Sequence, residues 1–336
     1  MNLPVPAGYN LLVILGPTAS GKTRLGVRLA QALGGEIISA DSRQVYRGMD
    51  IGTGKDLLEY EDIPHHLIDI VPPGYEFNLF EFQRRFLEAF AAIRERGRLP
   101  VLVGGTGMYL EAAVKGYRLV EAPENPVLRR ELADLPLAVL VEHLQRAASG
   151  LHNTTDLLER DRLVRAIEIA EYERDHEPEP MPELRPLIFG IRWEREALRR
   201  RTTDRLRERL ANGMIAEVEQ LHAEGVPWET LEFYGLEYRF IALHLKGELN
   251  RNDMFQKLNS AIHAFAKRQE TWFRRMEKNG IVIHWLDGAR EPFGEAMEIV
   301  KELPSPSWHL DLLEKRDRSI PAGESKFENS ETAKKA

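Results

Sequence analysis

The amino-acid sequence predicts an α/β fold in which helices flank a parallel β-sheet. The apolar run Leu11–Leu15 has the length and composition of a buried strand. Residues 16–23 form a glycine-containing loop, and Leu25, Leu29 and Leu33 follow at helical spacing. A strand, a glycine loop and a helix in this order are typical of P-loop NTPase-like proteins.

The glycine loop predicts a phosphate-binding site. It reads GPTASGKT, which matches the pattern G-x4-G-K-[ST]. Glycines let backbone N–H groups approach an anion, and the N-terminus of the following helix adds its positive end. Lys22 can reach outer phosphate oxygens, and the Thr23 hydroxyl can hold Mg2+. The predicted phosphate-binding residues are Gly16, Pro17, Thr18, Ala19, Ser20, Gly21, Lys22 and Thr23.

Composition excludes several classes of protein. The 336 residues include no cysteine, so disulfides, thiolate metal sites and a thiol nucleophile are excluded. The N-terminus lacks the features of a signal peptide, and no apolar run approaches the ~18 residues of a membrane span. We therefore expect a cytoplasmic protein without membrane contact. The net charge of −7 means that any nucleic acid must bind a local basic patch.

Polar residues follow two further predicted strands. The strand 36–40 leads into Asp41-Ser42-Arg43-Gln44, and the strand Val101–Val103 ends in a glycine turn that contains Thr106. The carboxyl ends of parallel strands are where open α/β sheets bind ligands, so both segments are candidates for one site. Two alternatives remain open at this point: Asp41 caps a helix, and the glycines only form a structural turn.

Periodicity predicts the remaining elements. The other predicted strands are Leu67–Val71, Leu187–Ile191 and Ile281–Trp285. The other predicted helices are Phe77–Arg96, Met108–Val114, Glu159–Glu171, Arg195–Gly225 and Asp253–Lys278.

Changes in composition predict four regions. Residues 1–114 form the first part of the α/β core, and residues 187–303 form its second part with basic helices. Between them, residues 115–186 combine charged helical segments with prolines and end in an acidic, proline-rich tract, which indicates an inserted helical subdomain. Residues 304–336 are polar and charged, and we expect this tail to be disordered.

Two basic helix faces are candidates for nucleic-acid contact. Arg162 and Arg165 lie three residues apart on one face of the predicted insertion helix. The segment 239–278 contains nine Lys or Arg against four Asp or Glu, and it includes Lys267 and Arg268. Contact with a phosphate backbone is one interpretation of these faces, and an ordinary solvated surface is the other.

The absence of an aspartate at one strand end reduces the number of enzyme classes that fit the glycine loop. Most P-loop hydrolases carry an aspartate at the end of an apolar strand to hold Mg2+ through water. Here the strand Val101–Val103 ends in glycines instead. Two kinds of enzyme remain: a small-molecule kinase, and an enzyme whose loop holds a pyrophosphate leaving group.

Five motifs together resemble bacterial tRNA dimethylallyltransferases, also called tRNA delta(2)-isopentenylpyrophosphate transferases. In chain order they are GPTASGKT, ISADSRQVYRGMDIGTGK, HHLID, LVGGTGMYL and FAKRQETWFRR. The resemblance covers about residues 11–290. The N-terminal motifs are also similar to those of plant-type isopentenyltransferases, which make cytokinins.

The resemblance implies a function and roles for individual residues. Such enzymes transfer a dimethylallyl group from dimethylallyl diphosphate to N6 of the adenosine next to the anticodon of tRNA. By this resemblance Lys22 neutralises the diphosphate, Thr23 places Mg2+, Asp41 accepts a proton from N6, and Thr106 lies near the leaving group. The implied RNA-contacting residues are Asp41, Ser42, Arg43, Gln44 and Thr106, to which the basic faces add Arg162, Arg165, Lys267 and Arg268.

The chain departs from the family pattern in two segments, the first being residues 157–168 of the insertion, where the family's Asn-Asp pair is missing although Arg162 and Arg165 are retained. In the second, Glu232 and Glu237 stand where the family carries arginines, and Arg239 is the nearest candidate to replace them. Three alternatives to the main interpretation therefore stay open: prenylation of free AMP or ADP, a P-loop kinase, and an RNA-binding protein without activity. For the main interpretation we expect a monomer that acts on the tRNA anticodon loop.

Overall fold

The computed structural model describes residues 8–117, 119–147, 159–176 and 180–303. Within these ranges one six-stranded, all-parallel sheet forms the centre, with the strand order β3-β2-β4-β1-β5-β6. The predicted α/β class is therefore confirmed. The strands are β1 Leu11–Leu15, β2 Gly35–Ala40, β3 His65–His66, β4 Leu99–Gly104, β5 Pro186–Arg192 and β6 His284–Asp287.

Helices surround the sheet on both faces. In the described residues they are α1 Lys22–Leu33, α2 Leu79–Glu95, α3 Gly107–Lys115, α4 Pro126–Leu132, α5 Leu137–Ala147, α6 Arg160–Asp175, α7 Arg195–Ala211, α8 Met214–Ala223, α9 Trp228–Phe233, α10 Leu236–Leu245, α11 Arg251–Lys278 and α12 Pro292–Glu302. A short 3-10 helix covers Leu57–Tyr60. Among these helices, none combines the length and the apolar character needed to cross a membrane.

Strand β1 is buried on both faces, as its continuous apolar run predicts. Leu12 and Ile14 pack into the core on the side of α1 and α12. Leu11, Val13 and Leu15 point to the opposite core, which α2, α3 and the end of α11 complete. The loop 16–23 begins directly after β1. Because β1 is packed between these two cores, the start of the loop is fixed relative to the sheet.

A third core lies under helices α7 to α11 and includes Val45, Tyr46 and Met49. One carboxylate ties the adjoining glycine-rich segment to α8: Glu217 accepts hydrogen bonds from the backbone N–H groups of Asp50 (2.8 Å), Ile51 (2.6 Å) and Gly52 (3.0 Å). The Tyr238 hydroxyl donates to the same carboxylate at 2.7 Å. This segment, residues 48–55 and called the second glycine segment below, is therefore held against α8.

Helices α4, α5 and α6 form a separate small core around Leu140, Leu163 and Ile167. The buried carboxylate of Glu168 accepts hydrogen bonds from the Arg129 guanidinium and from Asn125 N. This packing lies inside the segment predicted as an insertion, whose boundaries stay a prediction. The predicted tail, residues 304–336, lies outside the described residues.

Three predicted elements differ from the structure: the last strand begins at His284 and not at Ile281, and two other elements differ for local backbone reasons. The predicted strand Leu67–Val71 is wrong, because Leu67 and Asp69 have positive φ angles (64° and 55°), which lie outside the β region and interrupt an extended backbone. The strand residues come just before, at His65–His66. The predicted helix 195–225 is two helices, because Gly213 adopts φ 98° and starts a new helix at that point.

Candidate active site

Three loops meet at the carboxyl edge of the sheet. Strands β2, β4 and β1 are neighbours, so the segments that follow them lie side by side. These are the glycine loop 16–23, the segment 41–44 and the turn that holds Thr106. In the glycine loop, Gly21 (φ 88°) caps α1, and the Lys22 Nζ lies 3.4 Å from the Pro17 carbonyl oxygen. The loop thus wraps the N-terminus of α1, as a phosphate-binding loop requires.

The side chains of Thr106 and Asp41 accept hydrogen bonds from two consecutive backbone amides. The Ser42 N–H donates to Thr106 Oγ1 at 3.2 Å, and the Arg43 N–H donates to Asp41 Oδ1 at 2.9 Å. No α-helix begins after Asp41 among the described residues that follow it directly, so the helix-cap alternative is wrong. Instead the carboxylate stabilises a turn and stays half-buried beside the threonine hydroxyl.

The other predicted residues of this segment have different surroundings. Gln44 is buried, accepts from Ser39 Oγ (2.8 Å) and donates to the Gly54 carbonyl (3.1 Å), so its amide braces the second glycine segment. The Arg43 guanidinium lies 5.4 Å from the ring centroid of Phe233, a side chain that is 69% exposed. The half-buried Arg43 and the exposed Phe233 ring together offer a stacking surface, and the RNA contacts of this segment stay a prediction.

Gln269 was missed as a site residue, although it lies in the FAKRQETWFRR motif beside Lys267 and Arg268. Its buried amide oxygen accepts from Thr18 N (2.9 Å), and its amide nitrogen donates to the Gly105 carbonyl (2.9 Å). One side chain of α11 therefore joins the glycine loop to the turn that carries Thr106. Proximity of residues 18, 105 and 269 is a tertiary property that no local pattern reveals.

We expect Gln269→Leu to lower the free energy of unfolding by about 2 kcal/mol, since it leaves the buried Gly105 carbonyl and the half-buried Thr18 N–H without their partner. The exposed Gln256 on the same helix provides the matched control, Gln256→Leu. Urea unfolding of both variants measures the difference. Equal stability of the two variants would show that the Gln269 bridge contributes nothing.

Helix α7 forms the wall opposite the glycine loop. Between them lies a cavity of about 730 Å³, lined on one side by residues 19–23 and on the other by arginines of α7. Arg201 Nε donates to the Ala19 carbonyl at 2.9 Å, and the Trp193 indole N–H donates to the Ser20 carbonyl at 3.0 Å. The arginine-rich character of α7 was visible in the sequence. The sequence does not show which of these arginines face the loop, because α7 is only weakly amphipathic and carries arginines on every face.

The electrostatic surroundings of Lys22 are strongly cationic. Burial and the nearby charge of Arg205 lower the pKa of Lys22 to about 8, with Arg209 acting in the same direction. Asp41 and Asp56 oppose this shift. A bound anion next to Lys22 would favour its charged form, so the site is arranged to gain from polyphosphate binding.

The site residues fit a magnesium ion only together with a phosphorylated ligand. In the described ranges there is no group of three or more His, Asp or Glu side chains arranged to hold a metal. The Thr23 hydroxyl is half-buried and lines the cavity, so it can supply one oxygen ligand. Mg2+ commonly takes few protein ligands and completes its shell with phosphate oxygens and water.

The predicted basic residues lie in two separate places. Lys267 and Arg268 are exposed on α11, and Lys267 lines a cavity of about 540 Å³ between α7 and α11. On α6, Arg162 is exposed and pairs with Glu159 (3.1 Å). Arg165 instead donates to the Ala122 carbonyl (2.6 Å) and to Glu168 (3.0 Å), which gives it a structural role within the α4–α6 core.

The fold and the site together define a P-loop-like α/β protein in which the glycine loop and the Asp41 carboxylate lie at the same edge of the sheet. The chain matches the family model described as IPP transferase over residues 44–276, and the model described as isopentenyl transferase over residues 9–61. The chain belongs to the IPP transferase family.

Individual relatives agree with this assignment. The chain is 73% identical over 292 residues to tRNA dimethylallyltransferase 1 of Geotalea uraniireducens, across 87% of this chain and 97% of the relative. Its fold is similar to that of the tRNA isopentenylpyrophosphate transferase from Bacillus halodurans, with a TM-score of 0.64, 32% identity, and 92% and 98% coverage. It is also similar to a eukaryotic dimethylallyltransferase acting on tRNA, with a TM-score of 0.69, 25% identity, and 83% and 74% coverage.

Proposed function

We propose that this protein transfers a dimethylallyl group from dimethylallyl diphosphate to N6 of adenosine-37 in a tRNA anticodon loop, with release of diphosphate. The observation that supports this most directly is the set of hydrogen bonds that joins the three loops: the Ser42 N–H donates to Thr106 Oγ1, and the Gln269 amide bridges Gly105 and Thr18. The Asp41 carboxylate, held by the Arg43 N–H, lies at the same sheet edge as the glycine loop. That arrangement suits attack by an amine on a carbon whose leaving group is a diphosphate.

The donor side of the site supplies charge stabilisation. The C–O bond between the dimethylallyl group and the diphosphate breaks, and the diphosphate leaves with the electron pair. Lys22, the loop N–H groups and the N-terminus of α1 stabilise the negative charge that develops. Thr23 would supply an oxygen ligand to Mg2+, which when bound would neutralise further negative charge on the leaving group.

The acceptor side supplies orientation and a proton acceptor. As N6 forms its bond to the allylic carbon, it loses a proton, and Asp41 is placed to take it. The Arg43 N–H holds one carboxylate oxygen at 2.9 Å, so the carboxylate presents a fixed direction. Adenine N6 is a weak nucleophile, and such orientation lowers the entropic part of the barrier. The base must leave its stack to reach this depth.

Recognition of tRNA is assigned to three surfaces. The segment 41–44 surrounds the target base, Lys267 and Arg268 on α11 contact the phosphate backbone, and the helices α4 to α6 with Arg162 approach the anticodon arm. In this proposal the inserted helices belong to an RNA-contacting subdomain, and the enzyme acts in the cytoplasm as a monomer.

Incubation with unmodified tRNA, labelled dimethylallyl diphosphate and Mg2+ tests the proposal. We expect label in tRNA, at the adenosine next to the anticodon, and diphosphate release in equal amount. Label in AMP or ADP but not in tRNA would favour the cytokinin-type activity, which the isopentenyl transferase match over residues 9–61 and the similar N-terminal motifs support. ATP turnover with a small-molecule acceptor would identify a kinase instead.

The pKa of Lys22 predicts how donor binding depends on pH. In the free enzyme Lys22 is charged below about pH 8 and loses its proton above it. The diphosphate binds the charged form, so the KM for dimethylallyl diphosphate is expected to rise about tenfold per pH unit above pH 8 while the KM for tRNA changes little. Steady-state kinetics between pH 6.5 and 9.5 measure this, and a flat donor KM across that range would contradict it.

Loss of two charges on α11 should weaken tRNA binding in a salt-dependent way. Replacing Lys267 and Arg268 by alanine is expected to reduce the slope of log K against log salt by about 1.4, from two fewer single-strand phosphate contacts. The control is the double variant Arg290→Ala with Lys301→Ala, which removes the same charge from exposed positions elsewhere. The same slope in both variants would leave the α11 face as an ordinary solvated surface.

A further inference from the structure

One arginine of the cavity wall has no adequate partner. The side chain of Arg209, on α7, is only 12% exposed. Within the described residues its guanidinium makes no hydrogen bond: its Nε is buried without a partner, and the closest carboxylate oxygen, on Asp56, lies 3.9 Å away. That oxygen already accepts a hydrogen bond from Arg205. Buried charges are ordinarily paired, so this arrangement calls for another anion.

The second nearby carboxylate compensates only weakly. Glu237 and Arg209 both line a small cavity of about 10 Å³ next to Thr18 and Ala19 of the glycine loop. Burial raises the pKa of Glu237, and the charge of Arg209 opposes that rise. Glu237 is one of the positions at which the family resemblance implies an arginine. The cation near this point of the site is therefore delivered by α7 and not by residue 237.

The shape of the neighbouring backbone leaves room for this guanidinium. Gly54 adopts φ 63°, and a Cβ at that position would overlap the Arg209 side chain. The amide of Gln44 holds the Gly54 carbonyl from the other side. The second glycine segment thus packs directly on Arg209 and keeps it against the cavity wall. A flexible surface arginine would not need such support.

Arg209 faces the same cavity as Lys22 and Arg205. A diphosphate ester carries about three negative charges near neutral pH, and charge-assisted hydrogen bonds to guanidinium groups are the strong ones in such sites. We propose that Arg209 binds the diphosphate of the donor directly, as a cationic contact opposite the Lys22 side of the cradle. The assignment of that diphosphate to an allylic donor rests on the proposed function.

Binding of inorganic diphosphate with Mg2+, measured by calorimetry, tests this contact without the transfer reaction. Arg209→Met keeps the side-chain volume and removes the charge, and we expect it to weaken diphosphate binding by about 10- to 100-fold. Arg209→Lys is expected to recover part of that loss. The matched control is Arg207→Met, since Arg207 is an exposed arginine of α7 close to Arg209 in sequence, and its ion pair is with the exposed Asp204 at 2.9 Å.

Kinetics with dimethylallyl diphosphate and tRNA separate binding from structure. Arg209→Met should raise the donor KM by a similar factor and leave tRNA affinity within about twofold. If the methionine variant does not fold, Arg209→Gln serves with the same expectation. Unchanged diphosphate affinity in a folded variant overturns the inference, and so does a wild-type protein that binds no diphosphate.

The two proposals fail in distinguishable ways. A wild-type protein that labels tRNA, with an Arg209 variant that binds diphosphate normally, overturns the role of Arg209 alone. A wild-type protein that binds diphosphate through Arg209 but labels no tRNA overturns the proposed function and leaves the diphosphate contact standing.

Discussion

Replacing Asp41 by alanine is expected to lower the rate of prenyl transfer by about 10²-fold or more, which corresponds to about 2.7 kcal/mol of barrier. The loss has two parts: the proton acceptor for N6 disappears, and so does the carboxylate that orients the adenine. Affinity for tRNA should persist, because most of it comes from phosphate contacts elsewhere. Single-turnover rates at saturating tRNA, with filter binding of the same variant, measure both quantities.

Asp41→Asn separates the chemistry from the turn. Asparagine can still accept the hydrogen bond from the Arg43 N–H, so the local backbone should stay in place. The negative charge is gone, and a loss close to that of alanine is expected. The control is Asp62→Asn, at an exposed position outside the site. Near wild-type activity of Asp41→Asn would remove Asp41 from the role of base.

Lys22→Met is expected to lower kcat/KM for dimethylallyl diphosphate by about 10²- to 10³-fold, the scale of losing one preorganised charge contact to a leaving group. Methionine keeps a similar length, so the loop and α1 should stay folded. The substitution should change kcat/KM for dimethylallyl diphosphate and leave the affinity for tRNA unchanged. Steady-state kinetics with varied donor measure it.

The exposed Lys301 of α12 supplies the control, Lys301→Met, which should be silent. A further check is the pH profile: the rise of donor KM above pH 8 should vanish in Lys22→Met, because the titrating group is gone. A loss below about threefold would mean that the loop holds the donor through backbone N–H groups alone.

The convergence of the glycine loop, Asp41 and Thr106 was predictable. Each follows a parallel strand, and the carboxyl ends of parallel strands share one edge. The strand order puts β2, β4 and β1 next to each other, so the three loops touch. From the sequence alone, Asp41 could also have been the N-cap of a helix. The structure excludes this, because four turn residues, 42–45, follow Asp41 instead of a helix.

Other features depended on contacts between distant residues. Gln269 lies 251 positions from Thr18, yet it carries the bond that joins two loops. Arg209 lies on a helix with arginines on every side, so its periodicity did not distinguish the residues that face the cavity. The predicted strand Leu67–Val71 failed because two non-glycine residues take positive φ angles, a local conformation that composition does not report.

By itself the sequence determined the α/β class, the phosphate loop and the loop residues at the strand ends, because strand periodicity and loop composition are local properties of the chain. Only the tertiary structure decided which arginines face the glycine loop, and that Gln269 joins this loop to the turn that holds Thr106. Those choices arise from how α7 and α11 pack across the sheet edge, and helix packing joins residues whose separation in sequence carries no signal.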